Sequence, residues 1–401
     1  MILSIILALL LGILIGALAG LIPGLHPNLF SLFVLSSLTL LLSHLQALPI
    51  VVFLTALTIT HTIFAFIPSI FLSAPDSDSA LSVLPGHKLL NKGEGYEALV
   101  LSLYGCFIGL IIFLIFSPIF ILIIPKIYFY LKFIMFFLLV FVNLYLILTE
   151  KNSRLLSLLI FLLSGFLGFA VFSLPLKESL LPLLTGLFGS SSLLISLSKK
   201  QQIPKQEIKS LKKIKLPSIF SPSLASFLTA PLCALLPALG TGQAALLASS
   251  LTGENNNKQF IFMLGIINIL VISLFFPTLY AINEARAGSI VAIQKIMPQF
   301  SLFNLILIIM TILFSVIISL LLALFVSKII AKNISKINYR MLSLAVLLLL
   351  ALIVIIFSGW LGFLVFLISS ILGLFTILAN ARRTLLMGSL MLPSIAYYFP
   401  F

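Results

Sequence analysis

The chain has 401 residues, 62% of them hydrophobic and only 8% charged, with a mean hydropathy of +1.32. These values exclude an ordinary soluble globular domain. The formal charge of +14 does not point to nucleic acid, because seven of the 23 basic residues fall within 199–215, between apolar runs, and that is the positive-inside mark of a cytoplasmic loop.

Apolar runs of about 20 residues, each long enough to cross ~30 Å of hydrocarbon, recur along the chain. The first, 1–22, has no basic leading region and no clear cleavage site, so it reads as a mature helix and not as a signal peptide. A polar break, Gly20-Leu-Ile-Pro-Gly-Leu-His-Pro-Asn28, separates it from a second run at 29–43. Runs at 47–73, 98–124, 127–149, 154–174 and 178–197 follow, and the basic loop 198–217 then divides the chain. Segments 218–237 and 244–252 flank a second break, Ala238-Leu-Gly-Thr-Gly-Gln243, entered through Pro237. Runs at 258–281, 300–327, 341–359, 361–380 and 384–399 complete the chain. The expectation is an all-α integral membrane protein with about ten transmembrane helices. Cys106 and Cys233 are isolated and read as small packing residues.

Pro23 and Pro237 are 214 residues apart, a little over half the chain. A membrane helix broken at matching points in two halves is the best sequence pointer to a carrier's substrate site. Charge gives the topology. Lys328, Lys332, Lys336 and Arg340 form a second basic cluster on the side of the first loop, so an even number of crossings separates the two. The runs 258–281 and 300–327 supply that number, which leaves 218–252 as a re-entrant hairpin entered from inside. Counting back from the basic loop places residue 44 outside, so the first hairpin enters from outside. Lys151 and Arg154 then fall inside and Lys126 outside. The halves, 1–197 with extra helices and 218–401, become inverted repeats of a secondary transporter.

Proline and glycine at a break free backbone groups, and the helix N-terminus beyond it can face an anion. Pro23, Gly24, His26 and Asn28 are therefore substrate-site candidates, although Asn28 also reads as a plain N-cap. In the second break, Gly240, Thr241, Gly242 and Gln243 allow close backbone approach and add neutral donors, or else form a small-residue helix contact. Six of the nine acids, Asp76, Asp78, Glu94, Glu97, Glu254 and Glu284, cluster around the breaks and the segments after them. Asp76 and Asp78 are candidates for coupling Na⁺ or a proton, and Asn283 and Arg286 for holding a carboxylate or phosphate. Ordinary turn chemistry is an equal reading for the two aspartates and Arg286. His44 and His61 read as interfacial or satisfied histidines, with a proton relay as the alternative for His61, and His87 as a surface residue. Glu254-Asn-Asn-Asn257 either caps the next helix or lines the site. No zinc-protease, hydrolase-elbow or nucleotide-loop motif and no metal-ligand spacing is present, so no enzyme and no resident cofactor is expected.

The stretch 20–28 resembles the Pro-Gly motif near the N-terminus of the large permease subunit of tripartite tricarboxylate transporters. Leu236-Pro-Ala-Leu-Gly240 is similar to that family's second copy, residues 73–105 to the loop after its first repeat, and Glu254-Asn-Asn-Asn257 to its acidic, Asn-rich stretch. The likeness is to a shorter, archaeal branch. It implies ion-coupled uptake of citrate-like carboxylates across the cytoplasmic membrane, with a small membrane subunit and an extracytoplasmic binding protein as partners. The chain departs from the pattern at Ala238, where the family carries glycine, and at His26 and Asp76, where it carries more neutral residues, so the resemblance does not extend to citrate itself. An organic-anion carrier is the leading expectation. A polyprenyl-phosphate carrier, for which 36 phenylalanines would suit a lipid groove, and a scaffold subunit without transport are the alternatives, and a homodimer stays open.

Overall fold

The computed structural model describes residues 2–22, 25–72, 83–148, 153–176, 178–198, 204–208, 219–236, 239–253, 256–336 and 338–399. Among these residues the fold is helical, with no strand. Helix α1 (Ile2–Leu21) leads through the first break to α2 (Pro27–Ser36) and α3 (Leu38–His44). Helices α4 (Ala47–Phe64) and α5 (Phe66–Phe71) form one run, followed by α6 (Val83–Leu90), α7 (Gly95–Leu148) and α8 (Arg154–Phe172). Helix α9 (Leu180–Leu184) continues through a π-helical turn, Thr185–Ser190, into α10 (Ser191–Ser198). The second half comprises α11 (Phe220–Leu235), α12 (Thr241–Thr252), α13 (Asn257–Ile282), α14 (Gly288–Ile296), α15 (Leu302–Asn333), α16 (Tyr339–Leu378) and α17 (Gly388–Tyr397).

Seven helical runs among the described residues are long and apolar enough to cross a membrane, or eight if α2 and α3, bent by 72°, count as one. This is a multi-pass membrane protein. The number differs from the ten expected partly because the run 178–197 is divided into α9, the π-helical turn and α10, and partly because two expected pairs of spans are each continuous. The run read as two spans at 98–124 and 127–149 is one helix that continues through Pro118, Pro125 and Lys126. Membrane helices tolerate proline because neighbouring groups satisfy the freed carbonyls, so neither proline ends it. At 54 residues the helix is about 81 Å long, well beyond the ~30 Å hydrocarbon core. The expected spans 341–359 and 361–380 are the two arms of α16, which breaks where Gly359 adopts φ +69°. A side chain there would be strained, so this glycine sets the kink.

Two glycine seams bring helices into backbone contact. Gly12, Gly16 and Gly20 of α1 lie successively against Phe53 and Ala56, Leu57 and Thr60, and His61 and Phe64 of α4, so the two helices run parallel. A Cβ on Gly16 would stand 2.5 Å from the Leu57 carbonyl oxygen. Gly105 and Gly109 of α7 meet Phe262 and Ile266 of α13 in a second parallel pair. In a bilayer, where lipid is as apolar as leucine, close approach of this kind replaces the hydrophobic effect as the packing force. Near the start of the second pair Lys258 Nζ bonds Glu97 Oε1 at 2.6 Å and lies 3.3 Å from Glu94 Oε2.

Three segments meet at that end. Gly86 of α6 packs on Ile70, so α5 finishes where α7 and α13 begin, and α4 and α13 run antiparallel. Gln206, within the segment expected to be the cytoplasmic loop, accepts from the Gly95 N–H at 2.8 Å and donates to the Leu90 carbonyl at 3.0 Å.

Candidate functional site

Helix α1 ends at Leu21 and α11 at Leu235, and the N-caps of the helices that follow, His26 and Gly240, are 214 residues apart, the separation of Pro23 and Pro237. At the first, His26 has extended backbone and its Nδ1 accepts from the Asn28 N–H at 3.2 Å, with Pro27 as the first helical residue. A side-chain acceptor there satisfies one of the N–H groups that a helix start leaves unpaired, and proline has none to satisfy. The cap is thus His26, where the sequence placed Asn28. At the second, the Gly240 N–H donates to Gln243 Oε1 at 2.6 Å, and Gln243 Nε2 lies 3.1 Å from Met391 Sδ. This is half of a capping box.

The two N-caps face one cavity of about 280 Å³. Its wall includes His26 and Asn28 from the first break, Gly240 and Thr241 from the second, and Arg286 from the segment between α13 and α14. Five candidates far apart in sequence therefore converge. Gly242 and Gln243 do not line it, and Gln243 is occupied as the cap. Asn283 is off the cavity: it ends α13 with φ 55°, and its carbonyl and side-chain oxygens accept from Gln294 Nε2. Pro23, Gly24, Asp76, Asp78 and Glu254 lie outside the described residues. Asn256 caps α13, accepting from the Lys258 N–H at 3.0 Å, so the capping half of the reading of 254–257 is present.

Sequence reasoning missed several wall residues. Thr58 and Thr62 of α4 line the cavity, with hydroxyls that donate back to Leu54 and Thr58 carbonyls and keep lone pairs to spare. Asn268, midway along α13, is 2% exposed, and neither its Oδ1 nor its Nδ2 has a partner. A lone amide within a long apolar helix was a signal available beforehand. Glu178, in the segment leading to α9, also lines the wall, and nothing in its surrounding sequence set it apart. Burial pushes its carboxyl above the ordinary glutamate range, and a positive charge on His26 would work against that shift.

Arg286 is the cationic member. Its side chain is 9% exposed, Nη2 donates to the Tyr128 hydroxyl at 3.0 Å, Glu284 lies 4.0 Å away, and Nε has no partner. Burial opposes its charge, yet Tyr398, Tyr128 and Glu284 outweigh that and hold the guanidinium above its usual value. It is a charged donor with capacity left for an anion. Gly288 gives Asn28 its place, since a Cβ there would stand 2.5 Å from Asn28 Oδ1. The rest of the wall is largely apolar, with Leu180, Leu236, Val271 and Phe275 among its members. Among the described residues no group of three or more metal-ligating side chains forms a metal site.

Fold and site together define a multi-pass membrane protein with a cavity between two helix breaks. A family profile matches residues 6–388, and the chain belongs to the tripartite tricarboxylate transporter TctA family. It is 33% identical over 365 residues to an uncharacterized protein of Methanocaldococcus jannaschii, covering 86% of this chain and 88% of that one. No solved structure matches it.

Proposed function

We propose that this chain is a secondary carrier that moves a small organic anion, such as a di- or tricarboxylate, across the cytoplasmic membrane by alternating access, driven by Na⁺ or H⁺. The observation that carries this reading is the convergence of both helix breaks and Arg286 on one cavity. Two helix N-termini and a guanidinium suit a carboxylate, and about 280 Å³ is near the lower end of ligand pockets, at ~300 Å³.

An inverted repeat is supported by the element order. Helices α1, α2, α4 with α5, α6 and α7 correspond to α11, α12, α13, α14 and α15. The packing is reciprocal, α4 on α15 and α7 on α13, and α4 and α13 run antiparallel. One repeat rocking against the other would expose the cavity to each side in turn. A small membrane subunit and an extracytoplasmic binding protein are the proposed partners, and Asp76 and Asp78 remain proposed ion-coupling residues.

The test is thermal stabilisation of the purified protein by di- and tricarboxylates and by polyprenyl phosphate, with and without Na⁺. A ligand at 100 times its Kd stabilises by about 2.7 kcal/mol. A carboxylate response lost in Arg286→Ala supports the anion carrier. The apolar wall favours a lipid-phosphate carrier as the second reading, and a response to the lipid alone would select it. No response to any compound would favour a scaffold.

A further inference from the structure

The cap of α2 is made by a titratable ring. An imidazole nitrogen that accepts a hydrogen bond carries no proton, so the Asn28 N–H···Nδ1 bond of 3.2 Å assigns Nδ1 as unprotonated. The bond also occupies a backbone N–H at the positive end of a ten-residue helix, in the wall of the cavity. We propose that His26 is the proton-linked switch of this carrier: a proton bound at Nδ1 takes the lone pair that held the Asn28 N–H and releases that N–H to an organic anion in the cavity. This deepens the organic-anion reading of the same cavity and rests on it.

The step balances simply. One proton comes from solution, one N–H bond forms at Nδ1, one N–H···N hydrogen bond breaks, and the ring gains one positive charge. Protonated Nδ1–H and the Asn28 N–H are both donors and repel, so the cap cannot survive protonation. An anion beside them satisfies both.

Two further observations point to a ligand for this cavity. Asn268 is 2% exposed with neither amide atom partnered, and Arg286 Nε is buried without a partner; both belong to the same wall. Buried polar atoms left this way cost stability, and a bound carboxylate would relieve it.

Among the described residues, titratable and charged groups on the side of His26 come from α4 and from the segments before α9 and α14. His61 of α4 stands with its ring centroid 5.6 Å away, edge-on. Glu178 comes from the segment before α9 and Arg286 from the segment before α14. Helix α2 has none, and Lys177 lies outside the described residues. Ionised Glu178 favours the imidazolium, and an anion held beside the ring would favour it as well. Proton and anion therefore help each other to bind, and the coupling is reciprocal.

The experiment is calorimetric titration of the whole protein in detergent with succinate, citrate and a short monocarboxylate, at about pH 7.5, in two buffers of different ionisation enthalpy, which counts protons taken up per anion. The wild type is expected to take up about one proton per anion, and its affinity to rise about tenfold per unit fall in pH above the titration of the histidine. His26→Asn, which can still cap α2 through Oδ1, is expected to bind more weakly, with no proton uptake and no pH slope. His26→Gln serves as the second variant, and far-UV circular dichroism confirms that each is folded. Proton uptake unchanged in both variants overturns the proposal, as does its absence in the wild type, and in either case anion binding would leave the carrier reading standing. No binding of any anion by folded wild type overturns both.

Discussion

Replacing Asn268 by leucine separates stability from function. In the folded protein its amide is 2% exposed and neither polar atom has a partner. An unsatisfied buried polar group costs about 1–3 kcal/mol, and an apolar group of the same shape removes that penalty. Leucine is close to asparagine in shape and lies among apolar wall residues such as Val271 and Ile272. Asn268→Leu is therefore expected to be more stable than wild type by about 1–3 kcal/mol without ligand. For 401 residues, an unfolding entropy of about 2.1 cal/mol/K per residue converts this to a rise of about 1–4 °C in Tm. The assay is thermal unfolding in detergent followed by far-UV circular dichroism, with and without the stabilising anion. The ligand-induced shift should shrink in the variant even as the baseline Tm rises. A ligand-free variant less stable than wild type would refute the reasoning, because it would mean that the amide is already satisfied in the folded protein.

Gly16→Leu should loosen α1 from α4 and destabilise by about 1–3 kcal/mol, read as a lower Tm, because even a Cβ would stand 2.5 Å from the Leu57 carbonyl. Lys258→Met removes the ammonium that bonds Glu97 Oε1, 3% exposed, and should lower the Tm, whereas adding Glu97→Gln should recover part of the loss in a double-mutant cycle. Glu178→Gln tests the raised carboxyl: since burial favours its neutral form, wild type should lose stability as pH rises from about 4.5 through the folded-state value. The Tm of this variant should therefore exceed that of wild type at neutral pH, and the gap should close toward pH 4. Arg383→Met probes a guanidinium that is 3% exposed and bonded to Ser192 Oγ at 2.7 Å and to the Phe188 carbonyl of the π-helical turn. Removing it should free the segment before α17 and raise its amide hydrogen exchange, while exchange in α1 and α4 stays unchanged.

The membrane class was legible because hydropathy is a property of each residue and needs no partner. The two breaks were legible for a similar reason. Proline, glycine and short polar residues disturb a helix locally, and the structure ends α1 at Leu21, inside the first predicted break, and α11 at Leu235, shortly before the second. Where the reading went astray, two local signals competed. Pro125 and Lys126 looked like a boundary, yet α7 continues because packing and the bilayer make helix the only way to satisfy that backbone. Asn28 looked like a cap, yet Pro27 takes the first helical position and moves the cap to His26.

From the sequence alone came the lipid-facing composition, the helical class, the family and the two breaks separated by 214 residues. The tertiary structure decided which of the singled-out residues share a space. It drew His26, Asn28, Gly240, Thr241 and Arg286 together, sent Asn283 and Gln243 to capping duties, and added Asn268 and Glu178. Convergence of this kind depends on how helices pack, through glycine contacts such as Gly16 on Leu57 and Gly105 on Phe262, between residues far apart in the chain. A local pattern carries the propensity to break a helix, and only packing determines what the break will face.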